Sequence, residues 1–355
     1  MENYLNYIDK FATETDVQTA VYNGQLIKPY VAYIESEDRI DWNTKTVTPD
    51  YSEQYLTFKI TSDGNINWWA NRSSYKTISY STDSGSTWTE ITSSTSSTIN
   101  VNSGDTIMFK GYNDSYGTSS SSASFSGSTA GFNVEGNIMS LIYGDNFIGK
   151  TSFPEGSTYN FVDFLRYCTG LTSVENLILP ATTLTNRCYN NMFYGSTNLV
   201  TAPELPATTL AEGCYTSMFK NCTSLVNVPD LPATTLGNNC YQQMFLGCTS
   251  LVTAPDLPAT TLTSMCYNSM FSGCTSLETA PELPATTLAG NCYNSMFQGC
   301  TSLNYIKCLA TTNISVGTYN WVSGVASTGT FVKAAGVSWS TGNNGIPNGW
   351  TVQEV

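Results

Sequence analysis

The chain has 355 residues, and 14 Lys and Arg against 27 Asp and Glu give it a formal net charge of -13. This charge repels a phosphate backbone and an anionic membrane surface, so we expect no nucleic-acid partner and no membrane insertion. The chain contains no histidine, which excludes Ser-His-Asp catalysis, Cys-His catalysis and His-containing zinc sites. Its length is typical of several domains, each of roughly 100 to 200 residues.

Residues 1–50 predict a small α+β head. The stretch TDVQ, which starts at Thr15, reads as a capping box and predicts a helix from about Asp16 to Asn23. The segments YVAYI (30–34) and RIDW (39–42) predict two strands joined by a turn.

This head is too small to fold robustly alone, because about 50 residues bury little apolar surface. We therefore expect it to form a homo-oligomer, a trimer or a dimer, or to dock onto a larger partner. Its predicted docking residues follow spacings of 3 and 4, which suits one face of a helix. They are Tyr4, Leu5, Tyr7, Ile8 and Phe11.

Residues 51–150 predict a β-sandwich. Five short segments alternate apolar with polar residues: YLTFKI, TISYS, STWTEI, TINV and DTIMFKG. The stretches Asp83–Gly85 and Asn102–Gly104 supply turn residues between them. Short strands at such regular spacing are typical of a sandwich. The Ser/Gly-rich stretch from Tyr112 to Gly131 is predicted to be a long exposed loop or an interaction tip.

A repeat with a period of 26 residues occupies residues 151–314. It is carried by Cys188, Cys214, Cys240, Cys266 and Cys292, and by Phe193, Phe219, Phe245, Phe271 and Phe297. A fixed period of this size indicates a solenoid, in which stacked units share one apolar core. Residues 315–355 are predicted to form small strands and turns that cover the last open edge.

Within one unit, the segment CYTSMFKNC starts at Cys214 and separates its apolar from its polar positions at 100° per residue. It is predicted to be an amphipathic helix of two turns. TSLVNVP then predicts a short stacking strand, which ends at Pro229 because proline has no N–H to donate. PATT predicts the corner that leads to the next unit.

Three repeated residue types are candidate functional groups. The cysteines lack the short C-x-x-C pairs of zinc sites, so we expect no metal and interpret them as buried, reduced thiols. The repeated tyrosines lie at the edge of the apolar arc, which predicts partial burial with the hydroxyl outward. An acidic column could form a cation-binding edge or a carboxylate pair for glycoside hydrolysis. It consists of Glu204, Asp230, Asp256 and Glu282.

Catalytic acids are normally singular and differently tuned, whereas the acidic column repeats one environment four times. We therefore interpret it as a solvated column and expect no enzymatic activity and no cofactor. Positions that differ between units are the better candidates for a recognition surface, because the shared core needs the same residue in every unit. These positions are Arg187, Tyr194, Glu212, Lys220, Asn238, Asn239, Leu246, Ser264, Met265, Asn291 and Gln298.

The unit MFxGCTSLxxAPELPATTLxxxCYxx resembles the BspA-like leucine-rich repeat from Cys168 to about Ile314. Its PAT corner makes it about three residues longer than the usual unit of that family. The resemblance implies a leucine-rich-repeat solenoid and leaves the function open. Three other segments resemble fibre and appendage proteins of crAss-like phages that infect Bacteroides. They are NYIDKFATETDVQTAVYNGQLIKPYVAYI, ISYSTDSGSTWTEI and VASTGTFVKAAGVSWSTGNNGIPNGWTV.

The second resemblance implies a phage virion structural protein, a head (capsid) fibre or a tail fibre. Its first ~50 residues would anchor it to capsid or tail proteins, and its repeats would project to a host surface glycan or protein. The start MENYLNYIDKFATETD lacks the features of a signal peptide, which fits synthesis in the host cytoplasm and a place on the virion surface. One alternative is a bacterial BspA-like surface adhesin, which should carry an export signal and a sorting tail. Another is a phage glycan depolymerase, which would need an irregular unit with unique carboxylates.

Overall fold

The structure is a computed structural model, and it describes residues 9–11, 32–34, 39–41, 50–70, 76–91 and 97–355. It is mostly β, with 25% strand and 5% helix, and its described strands form several sheets without a closed barrel. Across those same residues, no helix has the length and apolar character needed to cross a bilayer. The chain divides into two compact units, Met1–Gln54 and Tyr55–Val355.

The first unit contains a three-stranded sheet. Strand β1 (Asp9–Phe11) runs parallel to β2 (Ala32–Ile34), and β2 pairs antiparallel with β3 (Arg39–Asp41). Strands β2 and β3 confirm the two predicted strands. A single 3₁₀ turn, η1 (Tyr51–Glu53), follows, and the Asp50 carboxylate accepts a hydrogen bond from the Ser52 N–H at its start.

The predicted helical docking face is wrong at Phe11. This residue lies in strand β1 and pairs with Ile34, because pairing with a distant strand overrides a local helical spacing. The other predicted docking residues, Tyr4, Leu5, Tyr7 and Ile8, lie outside the described residues, as does the predicted helix over residues 16–23.

Two sheets form the beginning of the second unit. A seven-stranded sheet has the order β12-β11-β4-β9-β6-β7, with β13 also paired to β11, and a three-stranded sheet has the order β10-β5-β8. Pairing is antiparallel, except that β11 runs parallel to β12 and β13. The strands are β4 (Leu56–Ser62), β5 (Gly64–Ala70), β6 (Ile78–Ser81), β7 (Thr89–Ile91), β8 (Ser97–Val101), β9 (Thr106–Gly111), β10 (Ala123–Ser124), β11 (Gly131–Asn137), β12 (Leu171–Ser173) and β13 (Leu177–Ile178).

The five predicted strands of this region are confirmed as β4, β6, β7, β8 and β9. Strands β5 and β11 were not predicted, because each begins with glycine and carries asparagines, which weaken the strand pattern. A short helix α1 (Ser140–Tyr143) and a 3₁₀ turn η2 (Gly144–Asn146) follow β11.

The two sheets share an aromatic core centred on Phe125. Its ring centroid lies 4.7 Å from that of Phe58 in β4 and 4.9 Å from that of Phe109 in β9. It also lies 4.9 Å from Trp68 in β5, a strand of the other sheet. One residue outside the larger sheet therefore joins the two layers.

The Ser/Gly-rich segment from Tyr112 to Gly131, predicted to be a long exposed loop or an interaction tip, is buried in part. Tyr116, Ala123 and Phe125 are fully buried, and the Tyr116 hydroxyl donates a hydrogen bond to the Leu141 carbonyl over 2.7 Å. Aromatic residues scattered among the serines fill the space between the sheets, and the small neighbours let the backbone follow them inward. Part of the segment therefore belongs to the core, whereas Tyr112 and residues 118–120 are exposed.

From Tyr159 onward the chain forms stacked units joined by backbone hydrogen bonds. The N–H groups of alternate residues donate to the carbonyls of the next unit, as from Tyr215 to Cys240 and from Phe219 to Met244, both over 2.9 Å. The first of these bonds runs from Tyr159 to Asn186. The stack thus begins within the predicted solenoid range 151–314 and before Cys168, the first residue assigned to a repeat unit.

The predicted helix over CYTSMFKNC is wrong. Every fourth residue of this segment is left-handed, with φ of 63° at Gly213, 54° at Ser217 and 60° at Asn221. Such residues interrupt the i→i−4 ladder of an α-helix, and the N–H groups not bonded to the next unit reach back only three residues, as from Met218 to Tyr215. A corner every four residues places apolar side chains on one side, as a helix does. The predicted stacking strand is likewise reduced to isolated bridges, such as Thr201 with Asn227.

The side chains of the stacked units form continuous buried columns. The predicted Cys, Met and Phe columns are confirmed as core, and neighbouring Phe rings lie 5.3–5.9 Å apart. The Tyr column is also buried, at 1% exposure, so its predicted outward hydroxyls are wrong. Its rings stack at 5.7–6.1 Å, which turns the hydroxyls inward with them.

The end of the chain continues the stack. Strands β14 (Tyr305–Cys308), β15 (Thr330–Lys333) and β16 (Thr351–Glu354) form a parallel sheet, and a short helix α2 (Ile314–Gly317) lies between the first two in sequence. Trp321 is fully buried and stacks on Tyr293 at 6.3 Å. Strand β16 pairs with β15, and all four of its residues are exposed.

Candidate functional site

The variable residues predicted to form a recognition surface all reach the surface of the stacked units. Four of them, Arg187, Asn239, Met265 and Asn291, occupy the same left-handed corner, with φ of 55–57°. Exposed members are Arg187, Glu212, Asn238, Ser264 and Gln298, and half-buried members are Tyr194, Lys220, Asn239, Leu246, Met265 and Asn291. We call these eleven residues the variable row.

Contacts join consecutive units along the variable row. The Lys220 ammonium lies 5.5 Å from the ring centroid of Tyr194 and donates to the Gln243 side-chain oxygen over 2.9 Å. The Arg187 guanidinium lies 3.9 Å from the Glu212 carboxylate. These contacts link neighbours, but the structure does not bring the whole row into one cavity.

A cleft of ≈ 470 Å³ lies where the first stacked units meet the two-sheet region. Of the variable row, only Arg187 lines it. Its other walls come from the outer face of β5, the Ser-rich segment and the first stacked unit. Its lining residues include Trp69, Ser122, Tyr159, Asp163, Arg166, Arg187, Asn190 and Asn191.

Trp69 provides an exposed aromatic face at the cleft. Side chains alternate along β5, so that Trp68 points into the core and is fully buried while Trp69 is 43% exposed. The neighbouring strand β10 pairs Ser124 with Trp69, and both residues also line a contiguous cavity of ≈ 410 Å³ that includes Arg166 and Tyr167.

Arg166 is held in one orientation by its neighbours. Its guanidinium carbon lies 4.7 Å from the Tyr167 ring centroid and 4.9 Å from that of Tyr194. One terminal nitrogen lies 3.4 Å from an Asp163 carboxylate oxygen, and the other donates to the Tyr167 hydroxyl over 3.4 Å. That last bond lowers the pKa of the Tyr167 hydroxyl below its usual value. Two aromatic faces and an anion thus fix this cation.

Arg187 is held much more weakly than Arg166. Its side chain is 47% exposed, its partner Glu212 is 50% exposed, and their closest atoms are 3.9 Å apart. Its guanidinium carbon also lies 5.9 Å from the Tyr159 ring. An exposed ion pair of this kind contributes roughly 0–1 kcal/mol, so Arg187 can exchange it for a better acceptor.

Sequence reasoning missed most of the cleft. Trp69 was not assigned to any element, and Asp163 and Arg166 lie inside the predicted solenoid range 151–314 but before Cys168, the first residue assigned to a repeat unit. A signal was present, since the chain has only four arginines and two of them, Arg166 and Arg187, lie in the first two stacked units.

The other predicted functional groups are placed as follows. Glu204, Asp230, Asp256 and Glu282 are all exposed, and Glu282 pairs with Lys307 at 2.9 Å. All eleven cysteines are free and buried, which confirms the predicted buried thiols. In the part of the chain that the structure describes, no group of three or more Cys, Asp or Glu is arranged to hold a metal ion.

Comparisons with protein-family models, with curated proteins and with solved structures find no match to this chain. The functional interpretation therefore depends on its own surfaces. Among the described residues, the variable row and the cleft both combine accessible side chains with a chemistry that differs from that of the repeated core.

Proposed function

We propose that the protein is a structural and adhesive component of a bacteriophage particle, a head (capsid) fibre or a tail fibre. The observation that carries this proposal is the division between core and surface in the repeat. Core positions hold the same residue every 26 positions, whereas the variable row changes from unit to unit. Such a stack keeps its backbone constant and presents different side chains at regular intervals, as binding repeats do.

The proposed architecture has four parts. Residues 1–50 form the anchoring head, 51–150 a β-sandwich, 151–314 a BspA-like leucine-rich-repeat solenoid, and 315–355 a C-terminal cap. The aromatic core around Phe125 supports the sandwich, and the unit-to-unit hydrogen bonds support the solenoid. The resemblance to appendage proteins of crAss-like phages supports the place on the virion surface.

Adhesion by this protein would depend on multiplicity. We propose a trimer or a dimer that docks onto capsid or tail proteins through its first residues and directs the variable row towards a host surface glycan or protein. Side chains such as Lys220 and Gln298 each make weak contacts. Many copies on one particle convert weak contacts into strong attachment.

The virion role is tested first by mass-spectrometric counting of this chain in purified particles. We expect many copies per particle, and their absence from particles would refute the role. Particles assembled with a chain that lacks residues 1–45 should contain none of it, because the anchor is gone. If the truncated chain is incorporated normally, the anchor lies elsewhere.

The adhesive role is tested with a variant of the row. Tyr194, Lys220 and Gln298 are replaced by serine, the residue that the chain itself carries at the equivalent position 272, so the fold should persist. We expect normal incorporation and roughly tenfold slower adsorption to the host, because several weak contacts are lost together. Unchanged adsorption would show that the row does not mediate attachment.

A further inference from the structure

We infer that the cleft between Trp69 and Arg187 is a binding site for a carboxylate-bearing sugar. This inference rests on the proposed adhesive role and deepens it by naming a ligand class. The site combines a weakly paired arginine, an immobilised arginine, an exposed tryptophan face and several neutral hydrogen-bonding side chains in one cavity of ≈ 470 Å³, a volume suited to a small ligand.

Arg187 supplies the group that binds the carboxylate. A guanidinium presents parallel N–H donors whose geometry matches a carboxylate, and such charge-assisted pairs are stronger than neutral hydrogen bonds. The only ion pair of Arg187 among the described residues is the exposed one with Glu212 at 3.9 Å. A ligand carboxylate in the cleft would replace the long contact of Arg187 with Glu212 by a bidentate pair with the ligand.

Arg166 acts as a positioning residue and not as a second free cation. Its guanidinium lies against the rings of Tyr167 and Tyr194, which are perpendicular to each other, and pairs with Asp163, so its charge is largely compensated. The Asp163 carboxylate also accepts a hydrogen bond from the Ser122 hydroxyl over 3.1 Å. The cleft therefore offers one weakly paired positive charge, that of Arg187, which suits a single carboxylate better than a doubly charged phosphate.

The remaining walls suit a sugar ring. The exposed face of Trp69 can pack against the apolar C–H face of a pyranose, since an indole offers a large flat apolar surface. Ser122, Asn190 and Asn191 line the same cleft and carry hydroxyl and amide groups that both donate and accept hydrogen bonds from sugar hydroxyls. A flat apolar face with polar groups around it distinguishes a sugar from a simple carboxylic acid.

The test measures binding of two acidic oligosaccharides to the purified full-length chain by isothermal titration calorimetry. Sialyllactose and tetragalacturonate represent the two common sources of a sugar carboxylate, and the methyl ester of each is its neutral counterpart. We expect at least one acid to bind with a submillimolar dissociation constant and its ester to bind at least about tenfold more weakly. The acid that binds identifies the source. Equal binding of acid and ester, or no binding of either acid, would overturn the inference.

Substitutions locate the site. Arg187→Asn introduces the residue found at the equivalent corners Asn239 and Asn291, so it should fold normally, and we expect it to weaken binding about 10- to 100-fold. Arg187→Lys keeps the positive charge but loses the parallel N–H donors of the guanidinium. Its affinity for the acid should lie between that of Arg187→Asn and that of the unchanged chain. Trp69→Ala should weaken binding of the acid and of its ester by a similar factor, because it removes the stacking face.

Two matched controls lie outside the cleft. Lys307→Gln removes one positive charge, and Tyr319→Ala removes an aromatic ring that is 60% exposed. Both should bind as the unchanged chain does, and a loss as large as that of Arg187→Asn would overturn the location of the site. A chain that is present in particles and supports adsorption but binds neither acid would contradict this inference alone. A chain that binds an acid but is absent from particles would contradict only the virion role.

Discussion

The thiol of Cys248 donates a hydrogen bond to the backbone carbonyl of Phe219 in the preceding unit, with 3.1 Å between sulfur and oxygen. The same bond recurs at Cys222, Cys274 and Cys300 over 3.0–3.1 Å. At Ser196 a hydroxyl takes the place of the thiol and donates to the Leu165 carbonyl over 2.9 Å. The second cysteine of each unit therefore donates a hydrogen bond that links its unit to the preceding one.

Replacement of this donor should cost stability according to what replaces it. We expect Cys248→Ala to lower the free energy of unfolding by ~1–2 kcal/mol, because it removes a weak hydrogen bond and leaves a small cavity. Cys248→Ser should cost less, since Ser196 shows that a hydroxyl fits this position. Urea unfolding followed by circular dichroism measures both. If serine is as costly as alanine, the position depends on packing and not on the donor.

Thiol accessibility should separate the folded from the unfolded chain. All eleven cysteines are free and buried, and burial raises the pKa of the Cys240 and Cys266 thiols above the ordinary value of 9.0, to about 12 for Cys266. Both burial and the missing thiolate slow alkylation. We expect almost no labelling by iodoacetamide in native protein and eleven labels after denaturation, counted by intact mass. Rapid native labelling of Cys240 or Cys266 would contradict the packed core.

Stability should fall steeply in alkaline solution. Burial raises the pKa of Cys188 from 9.0 to about 12, and it raises those of Tyr215 and Tyr241 well above 10.0. Below the unfolded pKa values both states hold these protons, so stability is fully present. At a pH between the pKa of a group in the unfolded chain and its pKa in the folded chain, the unfolded chain binds fewer protons than the folded chain does. The free energy of unfolding then falls by about 1.4 kcal/mol per pH unit for each such group.

The measurement is the urea midpoint as a function of pH, with a reductant present. We expect a constant midpoint from about pH 6 to 7.5, a decrease that begins at about pH 8, and a steep decrease above about pH 9, where most unfolded thiols ionise. A midpoint that stays constant to about pH 10.5 would show that the thiols ionise equally in both states.

Two tyrosine-to-phenylalanine changes should have opposite signs. The Tyr267 hydroxyl is buried without a hydrogen-bond partner, so Tyr267→Phe should raise the free energy of unfolding by about 1 kcal/mol. The Tyr116 hydroxyl, equally buried, donates to the Leu141 carbonyl and accepts from the Asn113 amide. Tyr116→Phe should therefore lower it by ~1–2 kcal/mol. Urea unfolding compares the pair, and a loss of stability in both would contradict the unsatisfied state of Tyr267.

The left-handed corners should tolerate asparagine and reject valine. Gly273 has φ of 75°, and a Cβ there would lie 3.7 Å from Gly247, an ordinary contact, so any cost comes from backbone conformation. Asn221 occupies the equivalent corner with φ of 60°. We expect Gly273→Asn to cost under ~1 kcal/mol and Gly273→Val about 2 kcal/mol or more in free energy of unfolding. If Gly273→Asn and Gly273→Val lowered the free energy of unfolding equally, steric crowding and not the backbone angle φ would determine which residues this position tolerates.

The period of 26 residues, together with the apolar character of the repeated positions, by itself determined that the Cys, Met and Phe columns form the core. When the same residue recurs in every unit, stacking places its copies in contact, so the columns that contain Met218, Phe219 and Cys222 follow from spacing alone. The short strands β4 and β6 to β9 follow from alternation in the same way. For the core columns and for these strands, the side of the chain that is apolar in the local sequence pattern is also the side that the tertiary structure buries.

Only the tertiary structure decided the backbone between those columns. A helix and a chain of left-handed corners every fourth residue bury the same positions, so the apolar pattern of Cys214 to Cys222 does not separate them. The choice depends on where the N–H of Tyr215 finds its acceptor, and that acceptor is the Cys240 carbonyl of the next unit. The cleft depends on tertiary structure for the same reason, because Trp69 and Arg187 belong to distant segments and become neighbours only when the first stacked units pack against the sheets.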